Sequence, residues 1–257
     1  MGRPGALVIG VGRASSIGAG IAARLAREGW DLAFTHRTEH DLRLGGTAED
    51  PERIAAELRQ AGARVVHRDL DLADAQAAQS VVPWAAGELG PLTALVLTHA
   101  EGVDSDIAST SVESWDRHFA VNARASWLLV RDFAAQAPGL EAEGPRAGTG
   151  RGRIVALTSD HVAYNLPYGA SKGALDRLIQ GAAVELGDRG ITANLVNPGP
   201  IDTGWMDDAI REWGLTRQRT GRLGTPADTA SLVAWLLSPD AGWVTGQLIT
   251  SDGGFSS

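Results

Sequence analysis

Tyr168 and Lys172 stand four residues apart in the run Tyr168-Gly169-Ala170-Ser171-Lys172. On a helix that spacing is about one turn, so the two side chains share a face. The pairing has a chemical use. A phenol normally keeps its proton well above neutral pH, and a nearby ammonium favours the phenolate, which brings tyrosine toward the working range of a general acid or base. Taken alone, the pair is better explained as an ordinary surface Tyr and Lys. Two further residues change the weighing. The run Arg153-Ile154-Val155-Ala156-Leu157-Thr158-Ser159 reads as a buried strand that ends in a hydroxyl, at the edge where ligands bind in open α/β sheets. Asn122, in Phe119-Ala120-Val121-Asn122, places an amide inside a long helical pattern, where it needs a partner or a task.

Positioning these groups requires a scaffold. Short apolar runs near 6–10, 31–36, 64–68, 94–98, 153–158, 191–197 and 247–250 alternate with helical patterns near 17–28, 51–61, 74–89, 112–136, 167–187 and 226–237. Such alternation is the signature of βαβ units, and it predicts an α/β fold: a single-domain Rossmann fold over 1–257, with a doubly wound, seven-stranded parallel sheet and helices on both faces. Thr38–Asp50 and Ala137–Gly152 read as loops, because Gly, Pro and charged residues cluster there without apolar period.

The first strand runs into Gly10-Val11-Gly12-Arg13-Ala14-Ser15-Ser16-Ile17-Gly18-Ala19-Gly20 and then a helix. Small residues let the backbone approach a pyrophosphate, and the helix N-terminus offers free N–H donors and a favourable dipole. Tight turning and close helix packing would also call for glycine. Gly12, Ser16 and Gly18 fit a Gly-x3-Gly-x-Gly spacing only with Ser in the middle place, whereas Gly10-x5-Ser16-x3-Gly20 forms a second register.

Composition bounds the chemistry. The 257 residues are 44% hydrophobic and 21% charged, the range of ordinary globular chains. A formal charge of −8 disfavours nucleic acid and anionic membranes as partners. The absence of cysteine removes disulfides, thiolate chemistry and Cys-based zinc sites, and the six His form no HExxH pattern, so no metal is expected. The apolar run Ala6–Val11 is too short to span a membrane, and the expected compartment is the cytoplasm.

Together these motifs resemble the short-chain dehydrogenase/reductase family from end to end. Asn122, Ser159, Tyr168 and Lys172 match its catalytic tetrad. The resemblance implies that Tyr exchanges the proton at the substrate oxygen and Ser hydrogen-bonds that oxygen. It further implies that Lys holds the nicotinamide ribose and lowers the Tyr pKa, while Asn orders a water relay. The Gly10, Ser16, Ile17 and Gly20 turn is similar to that of the family's enoyl-reductase branch, with Ser16 offered to the phosphate. Asp71-Leu72 matches the adenine-contacting pair; for Asp71 a helix cap is the plainer alternative. In Asn197-Pro198-Gly199-Pro200-Ile201-Asp202-Thr203 the resemblance places Ile201 at the carboxamide and Thr203 at the pyrophosphate, beside Pro198. Gly221–Pro226, Thr245-Gly246-Gln247 and Asp252-Gly253-Gly254 are also typical of its C-terminal part.

At the end of the second strand His36 replaces the acid expected for a ribose diol, and Arg37 follows. A missing carboxylate beside a guanidinium suits a 2′-phosphate, which predicts NADP(H) rather than NAD(H). Arg37 as a solvated strand-end charge is the alternative. The family's Asn-Asn-Ala-Gly segment is here Thr98-His99-Ala100-Glu101, with His99 and Ala100 expected at the cofactor and His99 read first as a structural hydrogen-bonder. The interval from Ser159 to Tyr168, which carries His161 and Tyr164, is shorter than usual, so that loop must take a tighter path. The turn points to enoyl reductases and Tyr-x3-Lys to ketone and alcohol enzymes; Tyr164 lies eight before Lys172, one more than the enoyl pattern expects. The implied partner is a small-molecule carbonyl or alcohol, reached under an apolar lid from Gly204 to Arg219 with Trp205, Met206 and Trp213. A homotetramer or homodimer is expected by resemblance. The alternatives are a catalytically silent NAD(P)-sensing protein and an enoyl (C=C) reductase.

Overall fold

The computed structural model describes residues 2–137, 152–204, 206 and 208–256. Seven strands, β1 (Gly5–Ile9), β2 (Asp31–His36), β3 (Val65–Asp69), β4 (Leu92–Leu97), β5 (Arg153–Leu157), β6 (Thr192–Asn197) and β7 (Leu248–Thr250), form one sheet in the order β3-β2-β1-β4-β5-β6-β7. Every pairing is parallel. Parallel strands covered on both faces have no polar side to show, which is why β1, β5 and β6 are buried throughout.

The connecting helices are α1 (Ile17–Arg27), α2 (Thr38–Arg43), α3 (Asp50–Gln60), α4 (Ala75–Leu89), α5 (Val112–His118), α6 (Ala125–Gln136), α7 (Leu166–Glu185), α8 (Asp208–Arg217) and α9 (Pro226–Leu237). Ala6 and Val8 of β1 face a core built with α1, α3 and α9. Leu7 and Ile9 point the other way, into a core built with α4, α6 and α7. The doubly wound arrangement is therefore as the alternation predicts. The chain leaves β1 toward β2 and β3 on one side and returns to β4 on the other, which opens a crevice at the carboxyl ends of β1 and β4.

Three elements differ from expectation. Thr38–Asp50 is not simply loop, because α2 occupies its first part; none of the six α2 residues is buried, so it carries no apolar period to read. The pattern over 112–136 is one helical path with a π-turn, Phe119–Arg124, between α5 and α6. Within the expected lid lies α8, where Trp213 sits edge-on to Phe255 at 5.7 Å. Trp205 and Asp207 of that lid, and residues 138–151 of the second expected loop, lie outside the described residues.

Candidate active site

Ser159 follows the carboxyl end of β5, and Tyr168 and Lys172 lie on successive turns of α7, so β5 and α7 bring the three together. Lys172 is only 2% exposed. Its Nζ donates to the Leu157 carbonyl at 2.9 Å and stands 5.7 Å from the centroid of the Tyr168 ring. Burial pushes the Lys172 ammonium down to about 8, with the nearby Asp176 carboxylate acting in the opposite sense. Asp176 accepts from the Thr158 hydroxyl, which ties this helix face to the end of β5. The phenol of Tyr168 is pushed above its ordinary value, first by burial, with the Ser159 hydroxyl bonding to it in the lowering sense and the Asp160 charge adding to the rise. The shift is thus opposite to the lowering expected from the ammonium, and burial sets its direction.

The short Ser159-to-Tyr168 loop closes by close contact. The His161 N–H donates to Ser159 Oγ at 3.2 Å, and the His161 carbonyl lies where a Cβ on Gly169 would come within 2.3 Å of it. The loop can pack on α7 only because Gly169 has no side chain.

Asn122 sits in the π-turn with its amide fully engaged. Its Oδ1 accepts from the Glu101 N–H at 2.7 Å, and its Nδ2 donates to the Glu101 carbonyl at 2.9 Å and to Ser171 Oγ at 2.8 Å. The side chain pins the segment after β4 to α7. His99 behaves as the structural hydrogen-bonder expected. Its Nε2 lies 3.1 Å from the Val121 carbonyl and 3.3 Å from Ser126 Oγ. Ser126 spends its own proton on the Asn122 carbonyl, so Nε2 must carry the ring hydrogen. Burial, with the Lys172 charge second, holds His99 down to about 3, so the ring is neutral at ordinary pH.

The crevice holds a cavity of about 250 Å³. Gly10, Ser16, Ile17, Arg37, Asp71, Leu72, His99, Ala100 and Thr203 all line it. Gly10 has φ 97°, and a Cβ on it would come within 2.7 Å of the His99 nitrogen. Gly18 matters equally: a Cβ there would meet the Gly10 carbonyl at 2.5 Å. Ser16 caps α1 by accepting from the Ala19 N–H at 3.1 Å, leaving its proton available to donate into the cavity. Glycines that permit this close backbone turn, ahead of a helix N-terminus, fit a pyrophosphate.

Gly20, Pro198 and Ile201 do not line the cavity, nor do Asn122, Ser159, Tyr168 and Lys172. Gly20 faces α9, where a Cβ would lie 2.6 Å from that of Pro226. Pro198 and Ile201 are buried, and Ile201 bridges to Gly224. Asp71 does not cap a helix; Asp74 caps α4, and Asp71 Oδ1 accepts from the Ala73 N–H at 2.9 Å.

Arg117 is a member of the site that the sequence does not mark, and its partner is Glu101 of the segment after β4. Glu101, nearly enclosed, pairs with Arg117 at 2.8 Å, and Arg117 reaches Asp71 at 3.3 Å. Asp71 also holds Arg37 at 3.2 Å, and Arg37 pairs with Glu39 at 2.7 Å. Burial raises the Asp71 carboxyl, but the Ala73 N–H and Arg117 outweigh it and hold Asp71 below the usual range. Arg117 offered no motif, since its partners come from other elements. Among the described residues no cluster of His, Cys, Asp and Glu suits a metal ion, and no helix is long and apolar enough to cross a membrane.

Residues 10–256 match the family described as Enoyl-(Acyl carrier protein) reductase. The chain is 34% identical to the uncharacterized oxidoreductase YjdA of Bacillus subtilis, over 97% of this chain and 96% of that protein. A short chain dehydrogenase from Burkholderia cenocepacia, solved in complex with NADP, superposes with a TM-score of 0.85 at 32% identity, covering 100% of this chain and 98% of that one. A blue fluorescent protein from a metagenomic library, solved in complex with NADPH, gives 0.86 at 31% identity over 100% and 99%. With its seven-stranded parallel sheet and this likeness over its whole length, the chain belongs to the short-chain dehydrogenase/reductase family of NAD(P)-dependent oxidoreductases.

Proposed function

We propose that this protein, acting as one catalytic domain over 1–257, interconverts a carbonyl and an alcohol on a small molecule with NADP(H), using Tyr168 as the general acid and base. The observation that carries this reading is the buried Lys172, anchored on the Leu157 carbonyl and held against the Tyr168 ring beside Ser159. In the reductive direction Tyr168 enters with its proton, since burial keeps the phenol protonated across the neutral range. It donates that proton to the substrate oxygen as negative charge builds there, and the Ser159 hydroxyl donates to the same oxygen. The Lys172 ammonium stabilises the phenolate that remains. The cofactor supplies the hydride.

Gly10, Ser16, Ile17 and Thr203 would hold the pyrophosphate and Leu72 and Ala100 the adenosine, with Arg37 meeting a 2′-phosphate. NADP(H) is supported by Arg37 lining the cavity where an acid would serve a ribose diol, and by the two neighbours solved with NADP and NADPH. Enoyl reduction is favoured by the description of the matched family and by the Ser16-Ile17 turn. Against it, Tyr164, the tyrosine nearest the enoyl spacing, is 81% exposed. A cytoplasmic location accords with the charge of −8. A homodimer or homotetramer accords with exposed Val112, Trp127 and Val184 on α5, α6 and α7.

The test is Tyr168→Phe, assayed with NADPH over a carbonyl panel. It folds, binds NADPH as the parent does and loses turnover by about a hundredfold or more. Undiminished turnover in this variant refutes the assignment. Tight NADPH binding by the parent, without turnover of any carbonyl, would identify a sensor instead.

A further inference from the structure

We infer that Tyr164 selects the substrate, and that this substrate is an uncharged carbonyl compound carrying an aromatic ring; the inference rests on the Tyr168 chemistry proposed above. Among the described residues Tyr164 is the one non-glycine with positive φ, at 63°. A bulky side chain is strained in the left-handed region, and such strain collects at functional sites. Its origin is visible in the loop. At one end the His161 N–H bonds Ser159 Oγ and the His161 carbonyl presses on Gly169. At the other end Asn165 is buried, and the Leu166 N–H donates to the Ser105 carbonyl at 3.0 Å. The few residues between these anchors must turn sharply, and the turn falls on Tyr164.

Glycine or asparagine would serve that turn better, so the backbone gives no reason for a tyrosine here. Nor does packing, because the side chain is 81% exposed. Its own loop and the segment bonded to that loop carry further exposed apolar groups. Val162 stands on the same loop, and Val103 and Ile107 stand on the segment that the Leu166–Ser105 bond joins to it. Both segments reach Tyr168. The His161 ring lies edge-on to Tyr168 at 6.4 Å, and a Cβ on Gly102 would come within 3.7 Å of Tyr168 Cδ2. Exposed apolar groups on segments that reach a candidate acid/base suit the apolar part of a substrate, and a tyrosine ring offers a face for stacking.

The charges narrow the class further. Asp104, Asp106 and Asp160 lie on these two segments, and neither 101–110 nor 159–166 contains a Lys or Arg. Glu101 is already paired with Arg117. A mouth of this sign repels anionic substrates, including acyl thioesters on a phosphorylated carrier arm, and admits neutral ones.

The experiment compares an aryl alkyl ketone with its saturated cyclohexyl counterpart, using the full chain and NADPH. Tyr164→Phe keeps the aryl preference. Tyr164→Asn, a residue that tolerates the left-handed backbone, melts no lower than the parent. It loses about five- to tenfold of the aryl-over-saturated ratio of kcat/KM, mostly through KM. An unchanged ratio in Tyr164→Asn overturns the inference. So does faster turnover of a phosphopantetheine thioester than of the aryl ketone, or no turnover of either ketone. Tyr168→Phe, run alongside, separates the two readings: if it is inactive, a failure at Tyr164 leaves the carbonyl chemistry standing, and if it is fully active both readings fall.

Discussion

Replacing Lys172 with Met is expected to make the protein more stable while it loses activity. Lys172 is 2% exposed, and burial takes its ammonium from 10.5 to about 8. At about 1.4 kcal/mol per pKa unit, keeping the charge in the fold below pH 8 costs about 3.5 kcal/mol. Met removes that cost and keeps the apolar packing of the stem. It gives up the bond to the Leu157 carbonyl, worth about 1 kcal/mol. The net gain is about 2.5 kcal/mol, or a rise in Tm of roughly 5–10 °C for a chain of this size. The direction with pH follows from linkage. Folded Lys172 binds its proton less tightly than unfolded Lys172, so between about pH 8 and pH 10.5 the unfolded chain holds more protons and the parent gains stability as pH rises. The variant lacks that gain, so its advantage is full below pH 8 and is lost toward pH 10.5. Thermal unfolding of both proteins at a series of pH values measures this. A variant less stable than the parent at neutral pH, or a difference that stays constant across the window, refutes the reasoning.

Other outcomes follow from the same geometry. Arg37→Ala should raise the KM for NADPH relative to that for NADH by about tenfold or more; an unchanged ratio removes the 2′-phosphate assignment. Reductive turnover should fall as Lys172 loses its proton through about pH 8, and Asp176→Asn, by withdrawing the carboxylate that favours the ammonium, should move this fall to lower pH. A pH–rate profile unaltered in Asp176→Asn counts against that coupling. Gly20→Val should wedge α1 from Pro226 of α9 and cost about 1–3 kcal/mol in chemical unfolding, with NADPH affinity of the folded fraction retained. A selective loss of NADPH binding would return Gly20 to the phosphate site.

The sheet and the catalytic spacing were legible because both are local. A parallel strand buried on two faces reads as a short apolar run, as Ala6–Ile9 of β1 and Ile154–Leu157 of β5 do, whereas β6 is buried with Thr192, Asn194 and Asn197 among its residues. Tyr168 and Lys172 share a face because four residues make about one helical turn, and Ser159 follows the end of its strand. What escaped notice depends on distance through space. No side chain of α2 is buried, so it left no apolar period, although His40, Asp41 and Leu44 at its end line the cavity. Burial governs Tyr168, and chain spacing carries no measure of burial.

Arg37 shows what that difference does to a functional argument. Read along the chain, it is a guanidinium following a residue that is no longer acidic, and so a vacancy for phosphate. In the fold it is held by Glu39 at 2.7 Å and Asp71 at 3.2 Å, with Asp71 shared by Arg117. A 2′-phosphate must therefore displace or join carboxylates that already neutralise the group. The preference for NADP(H) then measures phosphate against carboxylate as partners of one guanidinium, which is a smaller quantity than the pairing of phosphate with a free charge. Glu39 is mostly exposed and easily released, whereas Asp71 is tied to the Ala73 N–H and to Arg117, so Glu39 is the partner that phosphate replaces.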